Sequence, residues 1–213
     1  MDREQRLLPA LAGITGLAWM VAVLLVAASP KGIDLVGDLA YDRANRVHTL
    51  ALVLLMATAI VVHRAIRKSG LAGRRAAKVL TAGAGLMLLG NTMAFWGALV
   101  VGRQSDQFWG GWAGWLTYLP GDLLVLGSFI ALARAARQWP NVTRTQRWTI
   151  GFVGPLLSAT TITWAISPAA TLVFALPATF ALLTAGTAVA HATRSGVDAV
   201  APDGQEHDAE PVG

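Results

Sequence analysis

One carboxylate, Asp122, interrupts the apolar run WLTYLPGDLLVLGSF between Trp115 and Phe129. Trp115, Tyr118 and Asp122 follow i, i+3, i+7, so a helix places all three on one face: aromatic, aromatic, acid. A carboxyl so enclosed can carry a proton or hold a cation, and aromatic faces beside it attract cations. The spacing predicts such a route. It equally fits a protonated carboxyl that joins two helices by a hydrogen bond, with the rings as packing or interface residues.

Other polar residues reach a similar depth by counting along their helices. Asn91 lies eleven residues before Gly102, and Asp122 ten after Trp112, each about 15 Å from a boundary at 1.5 Å per residue. Asn91 is therefore expected to face Asp122 on the adjacent helix. Thr160, Thr161 and Thr179 are expected to complete a polar layer. Candidate substrate- or ion-binding residues are Asp122, Asn91, Tyr118, Trp115, Thr160 and Thr161. Pro120, Pro155 and Pro177 fall within the same runs; each frees a carbonyl about one turn earlier and favours kinks and pockets.

The elements that position these residues follow from composition. Of 213 residues, 54% are hydrophobic and 14% charged, against roughly a quarter charged in a soluble domain. Mean hydropathy is +0.53, and several apolar runs reach the ~18 residues that mark a membrane span. The fold class expected is all-α, a polytopic transmembrane bundle of six spans, with the transmembrane domain over 1–194. The spans are expected near 7–28, 47–64, 79–102, 112–133, 148–167 and 169–191. The first run is too long for a signal-peptide core and reads as a retained helix. Residues 195–213, acidic and rich in Pro and Gly, read as a disordered tail.

Charge sets the threading. The loops 64–78 and 134–147 carry six and four Lys/Arg and no acid. Placed inside, with both termini, they put thirteen of the seventeen basic residues in the cytoplasm. The net charge of +5 is thereby a topological signal, not a nucleic-acid one. The expected location is a cell membrane, as a multi-pass protein of bacterial inner-membrane type. Most tryptophans, among them Trp109, Trp112, Trp115, Trp139, Trp148 and Trp164, fall near the span ends and read as interface anchors. Asp34, Asp38 and Asp42 form a stripe on an interfacial helix leading into the second span, a solvated face with Asp42 paired to Arg46.

Several chemistries lack their residues. With no cysteine, there are no disulfides or thiolate metal sites. His63 and His191 lie at span ends and His48 near the opposite end, which is no two-haem pattern. No lysine lies within a span for a retinal Schiff base. No His-Glu-x-x-His or phosphate-binding Gly-Lys-Ser/Thr motif occurs. Neither cofactor nor metal is expected, and enzymatic activity is not favoured. The leading expectation is a small transporter or channel-like protein moving a proton, cation or small solute past Asp122. The rival is a noncatalytic accessory subunit of a membrane complex. It would dock a partner, or a second copy, through the small-residue stripe Gly90, Ala94, Ala98 and Gly102. Third comes a lipid-modifying enzyme using Asp122 as an acid.

Overall fold

Residues apolar on every side make helices that can be surrounded both by each other and by lipid. The second run shows how the two faces divide. Ala44, Asn45, His48, Ala51, Leu52, Leu55, Thr58, Ala59 and Val62 recur every three or four positions and are buried. Val47, Leu50 and Val53, on the remaining face, are apolar yet exposed. The computed structural model describes residues 3–29, 39–97, 112–164 and 166–198. Among these residues it contains α1 (Arg3–Ala28), α2 (Leu39–Lys68), α3 (Arg74–Phe95), α4 (Trp115–Ala135), α5 (Arg144–Thr163) and α6 (Pro168–Asp198). A single 3-10 turn, Ala136–Gln138, follows α4.

Each helix packs against its sequence neighbours, and α6 returns to pack on α1, so the six form a closed ring. Small residues set the close approaches. A Cβ on Gly90 would lie 2.6 Å from the Gly114 oxygen and the Tyr118 nitrogen; one on Gly121 would lie 2.7 Å from Gly83 O and Met87 N. Gly154 meets Leu126, and Gly16 meets Thr179, at similarly short range. Close backbone contact of this kind is how helices associate where lipid removes the hydrophobic drive between them.

The turn between α2 and α3 uses Gly70 and Gly73 with φ of 66° and 102°, a region that side chains resist. Trp139 then pins this turn to the end of α4: its indole donates to the Ala72 carbonyl at 2.8 Å. A capping box starts α5, where the Gln146 amide donates to Thr143 Oγ1 and the Gln146 side chain accepts from the Thr143 amide. Asn141 Nδ2 donates to Ser195 Oγ at 2.7 Å, which brings the end of α6 to the same side. The loops rich in basic residues therefore share one end of the bundle, called here the basic end.

Four helices are long and apolar enough to cross a membrane: those containing Arg6–Ala28, Arg43–Lys68, Trp112–Gln138 and Pro168–Ser195. The protein is thus an all-α bundle with membrane-spanning character. Helices α3 and α5 have the length, 22 and 20 residues, but more polar content. Pro120, Pro155 and Pro177 lie inside helices as expected, along with Pro9. They do not line the polar interior: Pro120 and Pro177 are exposed on the outer face.

Helix α2 begins at Leu39, about two turns earlier than the residue at which its span was expected to start. Asp34 and Asp38 of the expected interfacial stripe lie outside the described residues, as does the Asp42 side chain. Arg46 donates Nε–H to the Phe95 carbonyl at 3.0 Å and sits 5.9 Å over the Trp96 ring. Helix α6 runs to Asp198; the remainder of the acidic tail lies outside the described residues.

Candidate functional site: a buried polar and aromatic cluster

Helix α4 turns Tyr118 and Asp122 fully inward, at 3% and 7% exposure, with Trp115 half-buried beside them. The expected common face is therefore the inner face. Helix α5 runs antiparallel to α4, and the contact of Gly154 with Leu126 fixes their register. That register brings Ser158 against the Asp122 carboxyl and Thr161 against the Tyr118 hydroxyl. At the turn beyond, Trp164 meets Trp115 edge to face with ring centroids 6.0 Å apart.

The centre of the cluster is His48 of α2, completely buried. Its ring lies 5.0 Å from Trp19, 5.6 Å from Trp164 and 6.4 Å from Tyr118, centroid to centroid. Trp115 extends the aromatic wall, 5.6 Å from Tyr118. Trp19 is fixed by its indole N–H, which donates to Thr160 Oγ1 at 2.7 Å, linking α1 to α5 through the interior. Thr160 in turn donates to the Leu157 carbonyl at 2.6 Å.

Hydrogen bonding in this cluster is incomplete. Both ring nitrogens of His48, the Tyr118 hydroxyl, Asp122 Oδ1 and Ser158 Oγ are buried and accept or donate no well-formed hydrogen bond within the protein; the same holds for Ser128 Oγ, about 9 Å further along α4. A buried polar atom left so costs about 1–3 kcal/mol. Elsewhere in the bundle, comparable groups are matched: Thr15 and Thr58 share a bond of 2.7 Å, and Thr179 donates to Gly16 O at 2.9 Å. Toward the basic end His63 Nδ1, Arg147 Nε and Arg194 Nε are also unmatched, but α2, α4 and α5 bring several such donors and acceptors together around His48.

Of the residues expected to form the site, Trp115, Tyr118, Asp122 and Thr161 come together. Thr160 is in the cluster but serves Trp19. Asn91 is buried, yet its amide donates to the Asn45 carbonyl at 3.1 Å and to Thr49 Oγ1 at 2.8 Å, both on α2. The expected Asn91–Asp122 pairing is thereby replaced. The reason is register: Gly90 packs on Gly114 and Tyr118, while Gly121 packs on Gly83 and Met87. Asn91 thus sits about two turns, ~10 Å, further from the basic end than Asp122. Counting from Gly102 misplaced it, because the regular helix ends at Phe95. Gly90 and Ala94 of the proposed docking stripe line a small cavity with Gly114, Trp115 and Tyr118, within the chain; Ala98 and Gly102 lie outside the described residues.

Three residues central to the cluster, His48, Trp19 and Trp164, were not expected there. His48 was placed at a span mouth and Trp164 among interface anchors. Trp164 is only 5% exposed, and Trp139 equally so, whereas Trp112 and Trp148, at 67% and 59%, keep the exposure of anchors. Trp109 lies outside the described residues. His63 is half-buried and His191 exposed, both toward the basic end.

Space around the cluster is small. The cavity beside Tyr118, bounded by Asn91, Trp115 and Trp164, measures about 10 Å³. A second, of about 30 Å³, lies toward the basic end among Leu55, Leu80, Phe129 and Ile150, with Thr58 its one hydroxyl. A single water requires about 10–15 Å³ by the same measure. The arrangement is thus suited to protons, single waters or a small ion, and offers imidazole, phenol, carboxyl and hydroxyl groups to them. No family model, curated protein or solved structure matches this chain.

Proposed function

We propose that the chain is a six-span cell-membrane protein with both termini cytoplasmic, and that it moves a proton or a small cation through its interior past Asp122. The carrying observation is the run of unconsumed buried groups, His48, Tyr118, Asp122 and Ser158, on facing helices. Intramembrane ionisable groups mark ion and proton pathways more often than they serve packing. Cavities of about 10–30 Å³ narrow the cargo from solutes in general to protons and small ions.

The closed ring supports the reading of six spans. Helices α3 and α5 pack lengthwise between helices that have spanning character. At 22 and 20 residues they reach about 33 and 30 Å, enough for a ~30 Å hydrocarbon core. The shared basic end then belongs on the cytoplasmic side.

The tightness of the cavities favours a second reading, a noncatalytic accessory subunit whose interior stays dry. Labelling separates the two, and the absence of native cysteine makes it clean. Ser158→Cys and Ser128→Cys are introduced singly and treated in membranes with silver ion, a thiol-reactive cation on the scale of a small ion. Modification at Ser158→Cys supports a water-connected path. Protection at both positions, with a partner chain co-purifying, supports the accessory role and removes the transport reading.

A further inference from the structure

Between the basic end of α4 and the start of α5, on the outside of the bundle, lies a groove of about 610 Å³. This falls within the ~300–1,000 Å³ typical of ligand clefts, and far exceeds the cavities of the interior. Four arginines line it, Arg134, Arg137, Arg144 and Arg147, with no acidic residue among its walls. The positive-inside rule accounts for basic residues at this end; it does not account for four of them converging on one cleft. The Arg147 Nε is buried and has no hydrogen-bond partner in the protein. The first turn of α5 adds the positive end of its helix dipole to the same place.

Below the arginines the groove becomes apolar. Trp148 and Phe152 stack at 6.2 Å with their planes 30° apart, and are 59% and 54% exposed. Phe152 lies eight residues after Arg144, about 12 Å deeper by helical rise. The cleft thus reads, from the bundle end toward the middle, as a cationic mouth over an aromatic wall.

We infer that this groove binds an anionic phospholipid, its phosphate held by the four arginines and an acyl chain laid along Trp148 and Phe152. Guanidinium groups pair phosphate oxygens two at a time, and basic pockets at the cytoplasmic ends of helices suit anionic headgroups. The aromatic wall, continuous with the mouth, suits a lipid over a free phosphate. The inference requires only that the bundle sits in a membrane; it stands or falls apart from any movement of ions past Asp122.

Native mass spectrometry of the purified full chain in detergent provides the test, with phosphatidylglycerol, phosphatidylcholine or glycerophosphate added. Phosphatidylglycerol adducts should exceed phosphatidylcholine adducts. Each groove arginine is worth about fivefold, so Arg144→Gln with Arg147→Gln should weaken the former on the order of twentyfold. Arg74→Gln with Arg75→Gln removes the same charge from the same end, outside the groove, and should change little. Arg134→Gln with Arg137→Gln, both at exposed positions, gives a second groove pair should the first fail to fold. Trp148→Ala should reduce lipid adducts while glycerophosphate is unaffected. Equal binding of the two lipids, or equal losses from the groove pairs and the Arg74/Arg75 pair, overturns the proposal. Glycerophosphate binding as tight as phosphatidylglycerol would assign the groove to a soluble phosphate and overturn the lipid.

Discussion

The Trp19 indole of α1 donates a 2.7 Å hydrogen bond to Thr160 Oγ1 of α5, joining two helices that are not neighbours in the ring. Both side chains are completely buried. The bond fixes one wall of the aromatic cluster around His48. Thr160→Val keeps the shape but strands the indole N–H, so it should destabilise the fold by about 1–3 kcal/mol. Unfolding by heat or by denaturing detergent measures this. An unchanged midpoint would show that the indole finds another acceptor.

The α3–α4 seam should be intolerant of a single methyl group. A Cβ at Gly90 would fall 2.6 Å from backbone atoms of α4, which cannot move like a side-chain tip. Gly90→Ala is expected to cost about 1–3 kcal/mol by forcing the helices apart. Gly85, on the same helix, has nothing within 4 Å. Gly85→Ala should be neutral, or stabilise by up to about 1 kcal/mol through helix propensity. The paired thermal midpoints test which face of α3 meets α4, because Gly85 lies about 140° around the helix from Gly90 and only a rotation bringing it inward would reverse their order.

Tyr118→Phe should leave stability unchanged or raise it, since the hydroxyl is buried and closes no good hydrogen bond. Removing such a group while keeping the ring avoids its desolvation penalty of about 1–3 kcal/mol. A residue kept at a cost to stability is one used for something else. A clear loss of stability in Tyr118→Phe would mean that the hydroxyl holds Thr161 in place, and the case for a functional group there would weaken.

Much of the helical frame was legible in the amino-acid sequence, because apolar runs and basic loops report on solvent directly. So was the inner face of α4, whose i, i+3, i+7 pattern needs no knowledge of neighbours. What escaped depended on how helices turn and slide against one another. His48 was read by depth alone, near one end of its span; what was not read is that it faces inward, completely buried against Trp19, Trp164 and Tyr118. A usable signal existed: Ala44, Asn45, His48, Ala51, Leu52 and Leu55 share the buried period of α2. For Asn91 no such signal exists. Its partner depends on a backbone contact between Gly90 and Tyr118, a property of two helices together.

Proton or cation flux through the purified protein in liposomes tests the central claim most directly. Wild-type protein under an imposed gradient should carry flux above protein-free vesicles, and Asp122→Asn, eluting as the wild type does, should fall to that baseline. Flux that persists undiminished in Asp122→Asn would contradict a path through this carboxyl, as would wild-type vesicles no leakier than empty ones to any small cation tried.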